Sequence, residues 1–552
     1  MSRLFIYGGK KREIIDSDDE DFLYHINTGK IIGAGKIIDD LKSIHKIALI
    51  ERNKYVDFID AINNDFIKNK MIYENTISIF FFTDLFNKRT EIFDTYLGIC
   101  HIIYLKKKIS NEKKIDEIIL INCSEMFVES LQSIFPKKRI IKKNGYHRKI
   151  NLFNTFMTQC KFYIKATILL LIIRFKFKKR FSNNFSGNIF LSRYPMSFDK
   201  NFIDDKYVDY VKENDAYMVS IVTDGMHQNI SIKNSFGYLN KLNNQKKEFI
   251  LIDKFLSFFD ILQSFVQNII ITRKFKHLLE KQYNYDGINI TKYLHHELIQ
   301  SMLRLPRLFM YRNSIIKSFK KNSISRFTFY LHEYSYGRFF NYMLAKYFPS
   351  IKRIGFQHGP ISRRKLLYFM SENIISNNKN TNWLTKTPFP DRVLAEDDLS
   401  KKIYNEAGYR NVRIMERIYR FHYLKEIKIK SNSNKILIVS GAHDGEALLE
   451  RVIKIVKSNS QNHYMFKPHQ KSKIFKNGLP SKFLVSNLDL VNGHIKNYLP
   501  LCKAVMATYS SVGYEAFLLG IRVYLIFLPN RINESPLLDI YENGEKNLIE
   551  FI

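Results

Sequence analysis

The feature that most constrains this fold is a regular alternation of short apolar runs with longer stretches of helical pattern. Apolar runs bounded by polar turns are typical of strands buried on both faces of a parallel sheet. Their alternation with helices predicts an α/β architecture with ligands bound at strand ends. We therefore predict two Rossmann-like domains with a cleft between them, joined near 417–433. The strands expected in these domains are 188–191, 217–222, 249–252, 327–331, 353–356 and 392–395, followed by 435–440, 464–466, 483–485, 504–507 and 523–527.

The first 145 residues show the same rhythm and predict an additional N-terminal α/β unit. Its expected strands are 4–7, 47–50, 77–82, 102–105 and 118–121. A chain of 552 residues is long enough for two or three domains, because single cores rarely grow beyond about 250–300 residues. The expected divisions are an N-terminal α/β unit at 1–148, a basic and apolar segment at 149–182, an acceptor-side Rossmann-like domain at 183–425 and a donor-binding Rossmann-like domain at 426–552.

The segment 149–182 interrupts the alternation. Residues 162–173 are strongly apolar, and a run of aromatic and basic residues follows at 174–181. Lys161, Lys165 and Arg174 leave an apolar stretch shorter than the roughly 20 residues that cross a bilayer. The composition favours either an interfacial anchor on an anionic membrane leaflet or a buried core helix that is followed by a basic segment. Both interpretations stay open.

The formal net charge of +34 predicts an anionic partner. The basic residues are spread along the chain and accompany no zinc-finger, helix-turn-helix or RNP-type motif, so we expect no nucleic-acid partner. An anionic membrane surface is the preferred partner. The four cysteines are far apart and are typical of reduced thiols, and the N-terminus lacks the features of a signal peptide. We therefore expect a cytoplasmic protein peripheral to the inner face of the cell membrane.

Two motifs near the end of the chain predict a phosphate site. Residues 466–469, Phe-Lys-Pro-His, follow one expected strand, and residues 508–516, Thr-Tyr-Ser-Ser-Val-Gly-Tyr-Glu-Ala, follow another and open a helix. A helix N-terminus presents hydroxyl and backbone N–H donors to an anion, and neighbouring cations add positive charge. A turn and an ordinary helix cap are the alternatives. The expected phosphate ligands are Lys467, His469, Ser510 and Ser511.

Candidate catalytic residues follow two other expected strands. His358, in the turn 355–360, could accept a proton from an acceptor hydroxyl, or could simply bond its own turn. Glu333 is an alternative base or a partner that orients His358. Arg338 could bind an anionic sugar or phosphate, with helix capping and a surface ion pair as the alternative.

Two further residues complete the predicted donor site. Glu515 could hold ribose hydroxyls or belong to a capping box, and His443 could touch the donor. The sequence contains no paired metal-ligand spacing, no P-loop and no nucleophile elbow. We therefore expect a reaction that needs no metal and no cofactor apart from the donor substrate.

The motifs at 466–469 and 509–516 resemble those of bacterial GT-B glycosyltransferases of surface-carbohydrate (capsule or O-antigen) biosynthesis. The similarity is to the sialyltransferase, Kdo-transferase and capsule-polymerase group, with further likeness at 191–195 and 355–359, and it spans roughly 185–530. The family's His-Pro motif is altered here, because the proline precedes His469.

The resemblance implies transfer of an acidic sugar from a CMP-linked donor to a surface glycan or a lipid-linked acceptor. A phosphotransferase using a CDP-linked polyol would need the same elements. The altered motif also leaves open a non-enzymatic membrane scaffold in polysaccharide assembly.

Overall fold

The computed structural model describes most of the chain. The described residues are 2–111, 115–145, 152–179, 185–199, 201–204, 206–223, 231–331, 334–378, 381–416, 419–429, 433–469, 472 and 474–552. Three parallel sheets flanked by helices dominate these residues. The prediction of an α/β fold, with two parallel-sheet domains preceded by a further α/β unit, is confirmed.

The N-terminal unit is built on a five-stranded parallel sheet of order β5-β3-β1-β8-β9. Its strands and those of two small ribbons are β1 Ser2–Tyr7, β2 Arg12–Ile14, β3 Phe22–His25, β4 Lys30–Ile32, β5 Lys36–Ile37, β6 Ile72–Tyr73, β7 Ile77–Ser78, β8 Ile115–Ile121 and β9 Arg139–Lys143. Its helices are α1 Leu41–Ile50, α2 Arg52–Ala61, α3 Asn63–Lys68, α4 Asp84–Asn87, α5 Thr95–Asn111 and α6 Glu125–Ile134.

Three of the five strands expected in this unit are wrong. The runs 47–50 and 102–105 lie in α1 and α5, and the run 77–82 continues after a two-residue strand as the 3-10 helix Ile79–Phe82. The runs 77–82 and 102–105 are largely buried, and Ile47 and Ala48 are the buried residues of the first run, because these helices turn apolar faces toward the core. A short apolar run alone does not separate a strand from the buried face of a helix.

The middle domain carries a seven-stranded parallel sheet of order β12-β11-β10-β15-β16-β17-β18. The strands between residues 186 and 414 are β10 Ser186–Leu191, β11 Ala216–Val219, β12 Phe249–Leu251, β13 Asn284–Tyr285, β14 Ile288–Asn289, β15 Ser323–Tyr330, β16 Lys352–Phe356, β17 Arg392–Ala395 and β18 Val412–Ile414. The helices are α7 Leu152–Lys176, α8 Ile232–Asn243, α9 Phe258–Leu279, α10 Thr291–Phe309, α11 Arg312–Lys320, α12 Tyr334–Tyr347, α13 Glu372–Asn377 and α14 Asp398–Glu406. All six strands expected here are present. The strand order reverses between β10 and β15, which creates a crevice at the carboxyl ends of these strands.

The C-terminal domain has a six-stranded parallel sheet of order β21-β20-β19-β22-β23-β24. Its strands are β19 Lys435–Val439, β20 His463–Lys467, β21 Leu488–Leu490, β22 Cys502–Ala507, β23 Arg522–Leu525 and β24 Ile549–Phe551, and the helices from the linker onward are α15 Tyr419–His422, α16 Gly445–Ser458, α17 Ser511–Leu518 and α18 Pro536–Glu542. The strand expected at 483–485 is wrong, since a 3-10 turn there precedes β21. The strand order reverses between β19 and β22, so this sheet has its own crevice.

The N-terminal unit and the middle domain share one apolar core. Leu4 and Phe82 belong to the same buried cluster as Leu170, Phe309 and Phe339. The C-terminal domain instead packs a separate apolar layer on each face of its own sheet. The first two units therefore form one packed body, and the C-terminal domain is a second one.

The N-terminal unit also contacts the C-terminal domain directly. His45 Nε2 accepts a 2.9 Å hydrogen bond from the Asn533 backbone, and His101 Nε2 lies 2.8 Å from the Pro529 carbonyl. Burial lowers the pKa of His45 to about 3 and that of His101 to about 4, so both rings are neutral near pH 7. Neutral histidines thus join the additional unit to the loop that follows β23.

Helix α7 occupies most of the segment 149–182, whose residues 149–151 and 180–182 lie outside the described residues. It is the one described helix that is long and apolar enough to cross a membrane, with a mean hydropathy of 1.5 in its best window. Of that window, 39% is buried within the fold. The helix therefore has a face in the protein core and a face outside it.

Candidate active site

A cleft of about 450 Å³ lies where the carboxyl ends of the middle and C-terminal sheets face each other. Clefts of this size accommodate small organic ligands. Side chains from the middle domain, the linker and the C-terminal domain share its wall. Those used below are Lys206, Gln357, His358, Glu396, His422, Tyr423, His494, Lys496 and Glu515.

The middle-domain wall is formed by the turn after β16. Gly359 has a φ of +97°, a conformation that favours glycine and that turns the chain sharply. The buried Gln357 holds this turn, because its Nε2 donates to the Gly359 carbonyl at 3.0 Å and its Oε1 accepts from the Glu396 backbone at 2.9 Å. The side chain of Gln357 thus stabilises the turn by hydrogen bonds, while His358 lines the cleft.

The ring of His358 stacks on the ring of Tyr330, at the end of β15. The ring centroids are 4.8 Å apart and the planes are inclined by 27°. The Tyr330 hydroxyl in turn donates to the buried carboxylate of Asp204, whose pKa is raised by burial. This stack fixes the plane of the imidazole beside the cleft, which suits a group that must meet a hydroxyl in one orientation.

Glu396 is a carboxylate of the cleft that our sequence analysis missed. It directly follows β17 and is only 4% exposed, and Gln357 Nε2 donates to its Oε2 at 3.3 Å. The same rule that singled out His358, a polar side chain just after a predicted strand, could have found it. The cleft therefore places a second potential base close to the turn of His358.

On the C-terminal side, Ser510 is the N-cap residue of α17, yet its side chain makes no capping hydrogen bond. Its hydroxyl therefore remains available beside the first turn of the helix. Glu515 lines the cleft and accepts a hydrogen bond from the Tyr423 hydroxyl of the linker. The capping-box alternative for Glu515 is not the arrangement that the structure shows.

The two predicted phosphate motifs lie at the same edge of the C-terminal sheet. Ser440, after β19, accepts a 3.1 Å hydrogen bond from the backbone N–H of His469. On the other side, Gly441 lies so close to Tyr509 that a Cβ there would be 2.3 Å from the ring carbon Cζ. The turn after β19 thus lies between the Lys-Pro-His turn and the Ser-Ser turn. This edge includes the crevice between β19 and β22.

Lys467 contributes a half-buried cation at the end of β20. Burial lowers the pKa of its ammonium group. Within the ranges that the structure describes, Lys467 forms no ion pair. A half-buried cation at the carboxyl end of a parallel strand is suited to bind an anionic ligand.

Arg531 is a second cation at this edge, which the sequence analysis did not identify. It lies in the loop after β23, and its guanidinium carbon is 4.5 Å from the centre of the Tyr509 ring. Its pKa would be lowered by burial but is raised by the nearby Tyr509 and by the charges of Asp444 and Glu534. Among the described residues, its Nη1 has no hydrogen-bond partner.

Two further predicted residues, His443 and Arg338, lie away from the cleft. His443 is exposed in the turn before α16 and does not line it. Arg338 is packed against the N-terminal unit, where it donates to the Phe81 carbonyl at 2.8 Å and stacks on Phe86, and burial lowers its pKa to about 10. The predicted anion-binding role of Arg338 is therefore replaced by a structural one. Glu333 lies outside the described residues.

No protein-family model and no curated protein matches the chain. Similar solved structures include UGT2 of Phytolacca americana complexed with UDP-2-fluoro-glucose and pterostilbene, which has a TM-score of 0.37 and 11% identity over 67% of this chain and 85% of that one. UDP-GlcNAc 2-epimerase from Neisseria meningitidis has a TM-score of 0.30 and 11% identity over 62% and 81%. The wall teichoic acid polymerase TagF has a TM-score of 0.27 and 12% identity over 68% and 79%. With TM-scores below 0.5, none of these likenesses carries an argument about activity.

Proposed function

We propose that the chain is a nucleotide-sugar-dependent glycosyltransferase. The proposal depends chiefly on one observation, the cleft between the carboxyl ends of two parallel sheets. His358 and Glu396 line one wall of this cleft and Glu515 lines the other. Such an arrangement suits a reaction in which one domain holds an activated donor and the other presents an acceptor.

The donor would bind the C-terminal domain. Its phosphate would lie at the N-terminus of α17, with Ser510 and Ser511 as donors and Lys467, His469 and Arg531 nearby. These groups would stabilise the negative charge that develops on the departing nucleotide. Glu515 would accept hydrogen bonds from ribose hydroxyls.

The acceptor would enter from the middle domain. Its hydroxyl oxygen would attack the anomeric carbon of the donor while the bond from that carbon to the phosphate oxygen breaks. His358 would take the proton of the hydroxyl, and the nucleotide would leave with the electron pair of the broken bond. The proposed acceptor is a surface glycan or a lipid-linked sugar.

For the donor we propose a CMP-linked acidic sugar. The support is the resemblance of the motif 509–516 together with the basic side chains of the cleft, which suit a carboxylated sugar. Lys206, His422, His494 and Lys496 all contribute to the cleft wall. In the described ranges, no group of three or more His, Cys, Asp or Glu side chains could hold a metal ion. Independence from a metal stays a prediction.

A thermal-shift series with CMP, CDP, UDP, UMP and GDP tests this proposal, with Ser510→Ala as the comparison variant. A nucleotide at about 100 times its Kd should stabilise the folded state by about 2.7 kcal/mol. We expect CMP to stabilise the native protein and to have no effect on the variant. A preference for CDP would instead support polyol-phosphate transfer, and UDP or GDP would indicate an ordinary hexosyltransferase. No response to any nucleotide would contradict the proposal and favour a scaffold.

A further inference from the structure

Helices α7 and α9 lie side by side and antiparallel on the shared core. Arg174 Nη2, near the end of α7, donates to the Leu256 carbonyl just before α9 at 2.7 Å. Tyr163, halfway along α7, has its hydroxyl 3.0 Å from Ser264 Oγ of α9. The inner faces of both helices are buried, so the two outer faces share one side of the molecule.

Both outer faces are apolar. Spacings of three and four residues place the exposed apolar side chains of each helix in one stripe. Ile164 and Phe175 are 63% and 77% exposed, and Phe259 and Leu262 are 67% and 58% exposed. We call this surface the α7–α9 face. Its members are Phe153, Met157, Ile164, Ile168, Leu171 and Phe175 of α7 and Phe258, Phe259, Leu262, Val266 and Ile270 of α9.

The charges around the α7–α9 face are positive. Helix α7 contains no Asp or Glu, and the single acid of α9, Asp260, is buried in a capping box with Ser257. Exposed basic side chains lie among the apolar ones and near the helix ends. They are Lys161, Lys176 and Arg273, together with Lys276, whose ammonium group also lies 3.7 Å from the carboxylate of Glu280 just after α9.

We propose that the α7–α9 face docks onto an anionic lipid bilayer, with both helices lying in the plane of the interface. An apolar stripe flanked by Lys and Arg inserts at the boundary between headgroups and acyl chains, where anionic lipids attract the cations. Two copies joined through this face would bring like charges together, which disfavours a dimer.

The packing of α7 argues for lying on the membrane and against crossing it. Its inner face is part of the core, with Ala166, Leu169 and Leu170 completely buried. Gln159 donates to the Met302 carbonyl of α10, so the helix is also bonded to the domain behind it. Insertion across a bilayer would break these contacts, whereas interfacial docking leaves them intact.

Vesicle co-sedimentation tests this proposal with four substitutions on the α7–α9 face. The variant carries Ile164→Gln, Leu171→Gln, Leu262→Gln and Val266→Gln, all at exposed positions that leave the core unchanged. A matched control carries four exposed apolar residues changed elsewhere, Ile14→Gln, Ile414→Gln, Ile474→Gln and Leu484→Gln. The vesicles contain phosphatidylcholine, with or without phosphatidylglycerol.

We expect the unmodified protein and the control to bind the phosphatidylglycerol vesicles, less at high salt, and the face variant to bind at least about tenfold more weakly. All three proteins should melt at similar temperatures. Equal binding by the face variant, or no binding by the unmodified protein, would overturn the proposal. Binding to phosphatidylcholine alone at the same strength would overturn its electrostatic part. A lipid-free dimer that the face variant abolishes would assign the surface to a second copy of the chain.

Discussion

The hydroxyl of Tyr514 donates a 2.7 Å hydrogen bond to the carboxylate of Asp397. Tyr514 belongs to α17 of the C-terminal domain, and Asp397 is the N-cap residue of α14 in the middle domain. Each is the sequence neighbour of a cleft carboxylate, Glu515 on one side and Glu396 on the other. This single bond therefore links the proposed donor wall to the proposed acceptor wall.

Tyr514→Phe should impair transfer more than nucleotide binding. The substitution keeps the ring but removes a hydrogen bond to a charged group, which contributes about 1.5–3 kcal/mol. We expect the transfer rate to fall about tenfold or more, because the two walls would meet less often in the productive arrangement. Steady-state kinetics and nucleotide titration measure the two effects. Tyr541→Phe, on α18 of the same domain, is the control, and an equal loss there would contradict the role of the Tyr514 bond.

Ser510→Ala should abolish nucleotide stabilisation without weakening α17. Replacing a serine that caps a helix commonly costs about 1 kcal/mol, but the Ser510 side chain makes no capping bond. Ser124→Ala is the contrasting variant, since Ser124 Oγ accepts a 3.3 Å bond from Phe127 at the start of α6. We expect Ser124→Ala to lower the melting temperature and keep the nucleotide response. The opposite pattern in the thermal-shift measurement would remove Ser510 from the phosphate site.

The strands of the two larger sheets were predictable because buried parallel strands are continuous apolar runs between polar turns. The run at 392–395 matches β17 residue for residue. Strands β5, β9, β18, β21 and β24 lie at sheet edges and were missed, because edge strands mix polar and apolar residues and depend on the neighbouring strand for their pairing. The failures at 47–50 and 102–105 have the opposite cause, since apolar runs on buried helices look like strands.

The positions of the candidate residues were predictable only close to the carboxyl ends of strands. His358 and Glu515 line the cleft, and Ser510 and Lys467 lie at one sheet edge, because the carboxyl ends of parallel strands meet there. The linker residue Tyr423 also lines the cleft, but its position depends on how the two domains pack together. No local sequence pattern predicts that packing. Arg338 lies on a helix, and the rotation of a helix about its axis decides whether a side chain faces the cleft or another domain. The sequence did not predict that rotation.

Arg531→Gln should weaken nucleotide binding. A charge-assisted hydrogen bond contributes about 1.5–3 kcal/mol, so we expect the Kd to rise about tenfold to a hundredfold, with partial recovery in Arg531→Lys. Isothermal titration calorimetry with the stabilising nucleotide measures this change. Arg522→Gln is the control, because Arg522 begins β23 at the opposite edge of the sheet and pairs with Glu550 at 3.4 Å. An unchanged Kd in Arg531→Gln would show that Arg531 contributes to the fold and not to nucleotide binding.

Glu297→Gln should stabilise the protein at alkaline pH. Burial raises the pKa of Glu297 to about 8 from 4.5. The folded state therefore keeps a proton that the unfolded chain releases, and the stability from this group is lost as pH rises from 4.5 through about 8. Each tenfold change in an acid dissociation constant corresponds to about 1.4 kcal/mol, and glutamine carries no such penalty. The melting temperature of the variant should exceed that of the unmodified protein more at about pH 9 than at about pH 5, and a constant difference would contradict the raised pKa.

His358→Asn should lower the rate of transfer by about 10²–10⁴-fold while nucleotide binding stays unchanged, because a positioned general base contributes about that much. The imidazole lies on a turn that Gln357 holds by a hydrogen bond, and its ring stacks on Tyr330. Its orientation is therefore fixed before an acceptor binds. Glu396→Gln should have a smaller effect if that carboxylate only supports the site.

Single-turnover kinetics of the His358 variant, of Glu396→Gln and of Glu333→Gln separate the three candidate bases, with nucleotide-induced thermal shifts reporting binding. His463→Asn is the matched control, since His463 begins β20 at the edge away from the cleft and pairs with Asp489 at 3.0 Å. A full rate in His358→Asn combined with a large loss in either acid variant would reassign the proton acceptor to that carboxylate. Loss of the nucleotide response in His358→Asn would place the histidine on the donor side of the cleft.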